Sequence, residues 1–334
     1  MSKTAIWIVA AFAVVGGIPT VARGEERLIF DEKTHQWVAA EEIEAPAQGA
    51  LGQANELIAQ KKFSKAEKLL KKHIKSLENE PQNPDRRAAM LLYGDVAFKQ
   101  GQYYQANDRY QRVINEYPQT EEWAWAIRHD LDVARAWLDG KKRRLWGIFQ
   151  VGATDEALDI LSQIEQLAPR MTIAEAALRM SADYYYRTGQ FELAELKYRR
   201  LLEEYRTKPA NQATTTRAKY ALLRRAYSSM AMFPGVAFDI TSLVEASDLF
   251  KDYLGLYPGD AGSEEIVSLL RDIESKRAQK EYRIGEFYVR IHRPGAAAYY
   301  FKYVTNTWPD TLWGEKARTD LAKMGYESAA ATAP

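Results

Sequence analysis

A motif that recurs along most of the chain constrains the fold more than any other feature of the sequence. In each copy an alanine stands four residues before a large apolar residue. The copy GQYYQANDRY from Gly101 to Tyr110 is closely matched by GQFELAELKY from Gly189 to Tyr198. The copies recur every 37 to 52 residues, a spacing typical of stacked helical repeats. The aligned alanines, spaced by 40, 51, 37, 52 and 51 residues, are Ala66, Ala106, Ala157, Ala194, Ala246 and Ala297.

Each copy carries the signals of a pair of helices. The small alanine side chain lets the second helix approach the first closely. A proline such as Pro118 or Pro309 closes the second helix, because proline cannot continue one. We therefore predict an all-α solenoid of about six helix pairs over residues 49–327. Insertions are expected inside the third and fifth pairs, near residues 141–150 and 233–239.

The two ends of the chain are predicted to lie outside the solenoid. Lys3 precedes the apolar run from Ala5 to Gly17, which at thirteen residues falls short of the about 20 needed to cross a bilayer. Small residues follow, so residues 1–24 are interpreted as a secretory signal peptide, with an uncleaved membrane anchor as the alternative. Residues 25–48 are expected to form an acidic extended arm and residues 328–334 a disordered tail.

Composition excludes several classes of protein. The chain has no cysteine, so we expect no disulfide framework, no thiolate zinc site and no lipid anchor on cysteine. The 46 basic and 45 acidic residues are nearly balanced, whereas nucleic-acid-binding proteins normally carry a basic excess. We therefore predict no nucleic-acid partner, and the near-zero charge predicts that membrane association is only indirect.

No catalytic or metal-binding motif is present. The four histidines are scattered without the spacing of a metal site, and neither a Walker loop nor a nucleophile elbow occurs. Acids such as Asp130 and Asp132 could pair for acid–base chemistry, but His129 and Asp130 are predicted to form a solvated pair on a helix. The sequence therefore predicts a protein that is not an enzyme and that holds no cofactor or metal.

The repeat resembles the tetratricopeptide repeat, best at Gly94, Tyr103, Ala106, Tyr110 and Pro118. The resemblance implies that the first helix of each pair lines a concave groove. Carried over residue by residue, it assigns a partner-binding or peptide-binding groove to Leu91, Asp95, Phe98, Arg179, Asp183, Tyr186, Tyr282 and Glu286.

A dense basic run next to apolar residues follows a predicted helix that ends near Leu138. We interpret it as a candidate docking patch for an acidic partner or lipid headgroups, with a solvated helix end as an equal alternative. Its residues are Lys141, Lys142, Arg143, Arg144 and Trp146.

Two longer stretches resemble the BamD family of outer-membrane protein assembly factors. They run from Ala182 to Tyr205 and from Tyr288 to Thr311. The resemblance implies a periplasmic scaffold at the inner face of the outer membrane, bound to the periplasmic domains of a barrel insertase and to nascent barrel proteins. That family is typically tethered through a lipidated cysteine, which this sequence lacks. An adaptor for periplasmic cell-wall or division machinery is the alternative, and an enzyme or its regulatory subunit is a third.

Overall fold

The computed structural model describes residues 28–31, 36–39, 49–141, 143–145, 149–206, 212–260 and 262–326. Most of these residues are helical. The first seven helices are α1 (Gly49–Ala59), α2 (Phe63–Ser76), α3 (Pro84–Lys99), α4 (Tyr103–Glu116), α5 (Glu121–Leu138), α6 (Thr154–Leu167) and α7 (Thr172–Arg187). They are followed by α8 (Phe191–Arg206), α9 (Gln212–Ala231), α10 (Thr241–Leu256), α11 (Ser263–Arg290), α12 (Pro294–Thr307) and α13 (Leu312–Lys323).

The helices form a solenoid of six consecutive pairs, from α1–α2 to α11–α12, closed by α13. Every helix packs against the next one in the chain. The odd-numbered helices also contact each other across pairs, at α1–α3, α3–α5, α5–α7 and α11–α13. These first helices therefore line the inner side of the array and the even-numbered helices its outer side. The predicted all-α solenoid of about six pairs is confirmed.

The six aligned alanines lie where the two helices of each pair cross. All six side chains are fully buried, one on each even-numbered helix from α2 to α12. The facing helix also contributes a small residue in two pairs. A Cβ atom at Gly94 would overlap the ring of Tyr110, and one at Gly285 would lie 2.5 Å from Phe301 Cε1. The small residues of the repeat motif therefore mark the positions where the backbones of the two helices of a pair come close together.

Prolines and N-caps mark the ends of the helices. Four even-numbered helices, α4, α6, α10 and α12, end two residues before a proline, as the sequence predicts. The Thr120 hydroxyl accepts a hydrogen bond from the Trp123 amide at 3.2 Å, and Thr311 caps α13 in the same way. Thr154 does not cap α6 in this way, because the helix already begins at this residue.

Two short hairpins interrupt the helical pattern. β1 (Leu28–Asp31) pairs antiparallel with β2 (Gln36–Ala39) within the predicted arm, and β1 also contacts α5. β3 (Arg143–Leu145) pairs with β4 (Phe149–Val151) in the predicted insertion between α5 and α6. The predicted signal peptide at residues 1–24 and the tail at 328–334 lie outside the described residues.

A buried polar network joins α4, α5 and α6. Asp130 is fully buried and accepts hydrogen bonds from the amides of Asn107 and Gln111, at 2.8 and 2.6 Å. Gln111 in turn exchanges hydrogen bonds with Gln163 on α6. The expectation of a solvated Asp130 is therefore wrong, because neighbouring repeats supply its polar partners. Burial raises the pKa of the Asp130 carboxyl to about 7 against the opposing effect of the two amides.

Enlarging an aligned alanine is expected to destabilise the solenoid. The changes Ala106→Leu and Ala194→Leu insert three carbon atoms at fully packed crossings, so each should lower the free energy of unfolding by about 1–3 kcal/mol. Urea unfolding measures this loss. Ala322→Leu, at an exposed position of α13, is the control and should change little. Equal losses of stability at all three sites would contradict the conclusion that Ala106 and Ala194 lie at helix crossings.

The variant Asp130→Asn is expected to change how stability depends on pH. Because the pKa of Asp130 is raised in the folded protein, its contribution to stability is present at low pH and is lost as the pH rises through about 7. Between about pH 4 and about pH 8 the wild type should lose roughly 1–4 kcal/mol relative to the variant. Urea unfolding at both pH values measures this, with Asp159→Asn at an exposed site as control. A pH-independent difference would contradict the prediction.

Candidate functional site

The predicted groove residues lie on the first helices of three pairs, α3, α7 and α11. Their surroundings differ from one helix to the next. On α3, Leu91 and Phe98 are half-buried against the core beneath them. The Phe98 ring packs edge-on against Tyr103, with the ring centroids 5.3 Å apart. Asp95 accepts a hydrogen bond from the Tyr110 hydroxyl at 2.8 Å. These three side chains thus make contacts within the folded solenoid.

The prediction for α11 is wrong at Tyr282. This side chain is only 6% exposed because α13 covers it. Its ring packs between Phe301 and Trp313, and its hydroxyl donates a hydrogen bond to Asp320 at 2.6 Å. Glu286, one turn further along, is exposed and lines a separate cleft of about 750 Å³ between α11 and α13.

The three predicted residues on α7 do come together. The side chain of Arg179 is 51% exposed, and its Nε lies 3.6 Å from Asp183 Oδ2. Asp183 also accepts hydrogen bonds from the hydroxyls of Tyr198 and Tyr220, at 2.6 and 2.7 Å. Tyr186, near the end of the helix, packs edge-on against Phe191. The middle and end of α7 therefore form the best-defined part of the predicted groove.

A cleft of about 460 Å³ opens beside these residues, between the first helices α5, α7 and α9. Four arginines, Arg135, Arg179, Arg187 and Arg217, line it together with three acids, Asp139, Glu175 and Asp183. Several of these groups are held in place: Arg217 Nη1 lies 3.4 Å from Glu175 Oε2, and Arg187 donates a hydrogen bond to the carbonyl oxygen of Leu138. The cleft therefore presents positioned guanidinium groups to a ligand.

An alternating stack of arginines and tyrosines borders the cleft. The Arg179 guanidinium lies 4.5 Å from the centre of the Tyr220 ring, and Arg224 lies 4.3 Å from that of Tyr186. Arg224 Nε also donates a hydrogen bond to the Tyr220 hydroxyl at 3.2 Å. Burial raises the pKa of the Tyr220 hydroxyl, as does its hydrogen bond to Asp183. Such cation–π contacts hold the arginines in one orientation.

Tyr220 and Arg224 are not among the residues that the sequence predicts to line the groove. Both lie on α9, the first helix of the fifth pair. The tetratricopeptide resemblance provides groove positions only on α3, α7 and α11, so it assigns none to α9. The sequence does indicate this surface, because it places arginine and tyrosine at the three- and four-residue spacing of one helix face, at Arg217, Tyr220, Arg224 and Tyr227.

The candidate docking patch is described only in part. Lys141 is exposed immediately after α5, and Arg143 and Arg144 lie in β3. Lys142 and Trp146 lie outside the described residues. The patch therefore stays a prediction.

Neither a metal site nor a membrane span is found in the described part of the chain. Its His, Asp and Glu residues do not form a group of three or more that could hold a metal ion. None of its helices combines the length and the apolar character needed to cross a bilayer.

Comparison with models of known protein families identifies a family for this chain. The model of the YfiO (BamD) family, described as "Outer membrane lipoprotein", matches residues 148–330. This segment contains α6 to α13, including the α7 and α9 sides of the cleft. The match agrees with the resemblance to the BamD family seen in the sequence. A search among curated proteins found no match.

Three solved structures align with most of this chain at low sequence identity. A tetratricopeptide repeat protein from Parabacteroides merdae is 15% identical, over 82% of this chain and 96% of that one, with a TM-score of 0.36. The C-terminal part of a TPR repeat-containing protein from Cytophaga hutchinsonii is 11% identical, over 80% and 98%, with a TM-score of 0.35. PilW, a type IV pilus biogenesis factor, is 15% identical, over 80% and 96%, with a TM-score of 0.29.

Removing the carboxylate of Asp183 is expected to destabilise the protein. The change Asp183→Ala leaves two tyrosine hydroxyls without their acceptor, which should lower the free energy of unfolding by about 1–3 kcal/mol. Urea unfolding measures this. The control is Asp139→Ala, which removes an exposed carboxylate from the same cleft and should cost less than about 0.5 kcal/mol. Similar losses in both variants would contradict the proposed role of Asp183.

Proposed function

The chain belongs to the YfiO family of outer membrane lipoproteins, and we propose that it is a non-enzymatic periplasmic scaffold for the assembly of outer-membrane barrel proteins. The observation that carries this proposal is the arginine- and tyrosine-lined cleft between α5, α7 and α9. Its α7 and α9 sides lie within the segment that matches the family. The proposed partners are the periplasmic domains of a barrel insertase and nascent barrel proteins.

The chemistry of the cleft suits an extended polypeptide. Guanidinium groups carry several donors in a fixed plane and bind carboxylates and carbonyl oxygens. Arginine and tyrosine are also the residues that contribute most to protein–protein binding energy. Arg135 and Arg179 keep about half of their side-chain surface exposed, so they are accessible to a partner. A segment with free carbonyls and carboxylates is therefore the ligand that the cleft favours.

The acids of the cleft support binding rather than catalysis. Asp183 accepts hydrogen bonds from two tyrosine hydroxyls, and Glu175 forms an ion pair with Arg217. A general acid or base needs a titrating group within reach of a bound substrate, whereas these carboxylates serve to orient neighbouring side chains. We therefore propose that the protein acts by presenting surfaces to its partners and without a cofactor.

The proposed location is the periplasm, at the inner face of the outer membrane. The family is one of outer membrane lipoproteins, and the interpretation of residues 1–24 as a signal peptide predicts export. The sequence contains no cysteine to carry a lipid. We propose that contacts with partner proteins help to keep this chain at the membrane.

Affinity capture from solubilised cell envelope tests the function. We expect the tagged wild type to recover a barrel insertase. A cleft variant, Arg135→Gln/Arg179→Gln/Arg187→Gln, should recover it at least about tenfold less, because three guanidinium donors are lost at the proposed site. Mass spectrometry of the captured proteins measures both.

The control variant removes three arginines from outside the cleft. Arg112→Gln/Arg271→Gln/Arg318→Gln changes the net charge equally, at exposed positions of α4, α11 and α13, and should bind like the wild type. Recovery of cell-wall or division proteins instead of the insertase would overturn the barrel-assembly proposal and favour the adaptor. Recovery of the insertase by both variants alike would show that the cleft is not the binding site.

A further inference from the structure

The outer face of α2 carries an unusual concentration of lysine. Residues 61–75 contain seven lysines and one acid, Glu67, a net charge of +6. The whole chain has a net charge of +1, so all other residues together sum to −5. The lysine face, as we call this surface, consists of the exposed residues Lys61, Lys62, Lys65, Lys68, Lys71, Lys72 and Lys75.

The charge of the lysine face is not neutralised by its neighbours in the described structure. Glu67 forms an ion pair with Arg109 of α4 at 2.6 Å. None of the seven lysines forms an ion pair with a described residue; Lys62 donates a hydrogen bond to the side chain of Gln60. The next acids along the chain, Glu78 and Glu80, follow the end of α2. The ammonium groups are therefore accessible to an external partner.

The apolar face of α2 is already occupied. Ala66 and Leu70 are fully buried, and Phe63, Leu69 and Ile74 pack against the same cluster from α1 and α3. Phe63, the only Phe, Tyr or Trp in α2, is half-buried there. The lysine face thus offers charge without an exposed apolar anchor.

We propose that the lysine face binds the headgroups of an anionic lipid bilayer. Clusters of four to eight basic residues on an amphipathic helix are attracted to anionic membrane surfaces. Lysine is a hydrated point charge without the planar fork of arginine, which suits a fluid layer of phosphates. A protein interface would instead be expected to present aromatic residues or arginine as anchors. Such a direct membrane contact differs from the indirect association that the near-zero net charge of the whole chain predicts.

The arrangement of the solenoid is compatible with such binding. α2 is a second helix and lies on the outer side of the array, whereas the cleft lies among the first helices. A bilayer contact through the lysine face would therefore leave the cleft open to a polypeptide.

Co-sedimentation of the full chain with vesicles tests the proposal. The vesicles contain phosphatidylcholine with phosphatidylglycerol, or phosphatidylcholine alone; binding to the uncharged vesicles measures any contribution of the N-terminal apolar run. We expect the wild type to bind the anionic vesicles more tightly and to lose this difference as salt is added. The variant Lys65→Glu/Lys68→Glu/Lys72→Glu should bind them at least about tenfold more weakly.

The matched control reverses the same number of charges elsewhere. Lys302→Glu/Lys316→Glu/Arg318→Glu alters exposed residues of α12 and α13 and should retain most of the binding. A second variant with glutamine at the three α2 positions, together with circular dichroism, separates loss of charge from loss of fold. Equal binding to both kinds of vesicle, or equal losses in the α2 and control variants, would overturn the proposal. Capture of an acidic protein through the lysines without vesicle binding would overturn it as well.

Discussion

The close approach of two helices at a buried alanine is the constraint on which the rest of the structure depends. Each of the six pairs contains one such crossing, and in two pairs a glycine on the facing helix removes a further side chain. Because the pairs are built alike, stacking them brings the first helices together on one side. The cleft between α5, α7 and α9 is a consequence of this repetition, since each wall is the first helix of a different pair.

The sequence predicts the architecture because the crossings depend on residue size, which a single chain reveals. The aligned alanines and closing prolines fix the register of most pairs without reference to contacts between repeats. The site is harder to predict, because its polar contacts join residues far apart in the chain. Asp183 is bound by tyrosines from α8 and α9, and Tyr282 is covered by α13. Neither relation follows from the spacing of residues within one helix.

Charged side chains at two places differ in the structure from what the sequence predicts, for different reasons. Asp130 looks like an exposed acid on a polar helix face, but amides from α4 approach it in the folded repeat array. The lysines of the lysine face are spread over fifteen residues, so the sequence shows no contiguous basic run there. They gather on one side only once the helix is wound. In both cases the three-dimensional arrangement of a helix decides what its charges do.

The position of α1 and α2 at the end of the described solenoid has a mechanical consequence. Within the described residues, interior pairs are held by neighbours on both sides, whereas this pair packs against α3 on one side only. In repeat arrays each unit is stabilised mainly by its nearest neighbours, so a terminal unit can open while the others stay folded. A pulling force applied to the lysine face would therefore be expected to detach the first pair before it disturbs the helices around the cleft. The first pair would then unfold under tension while the cleft stays intact.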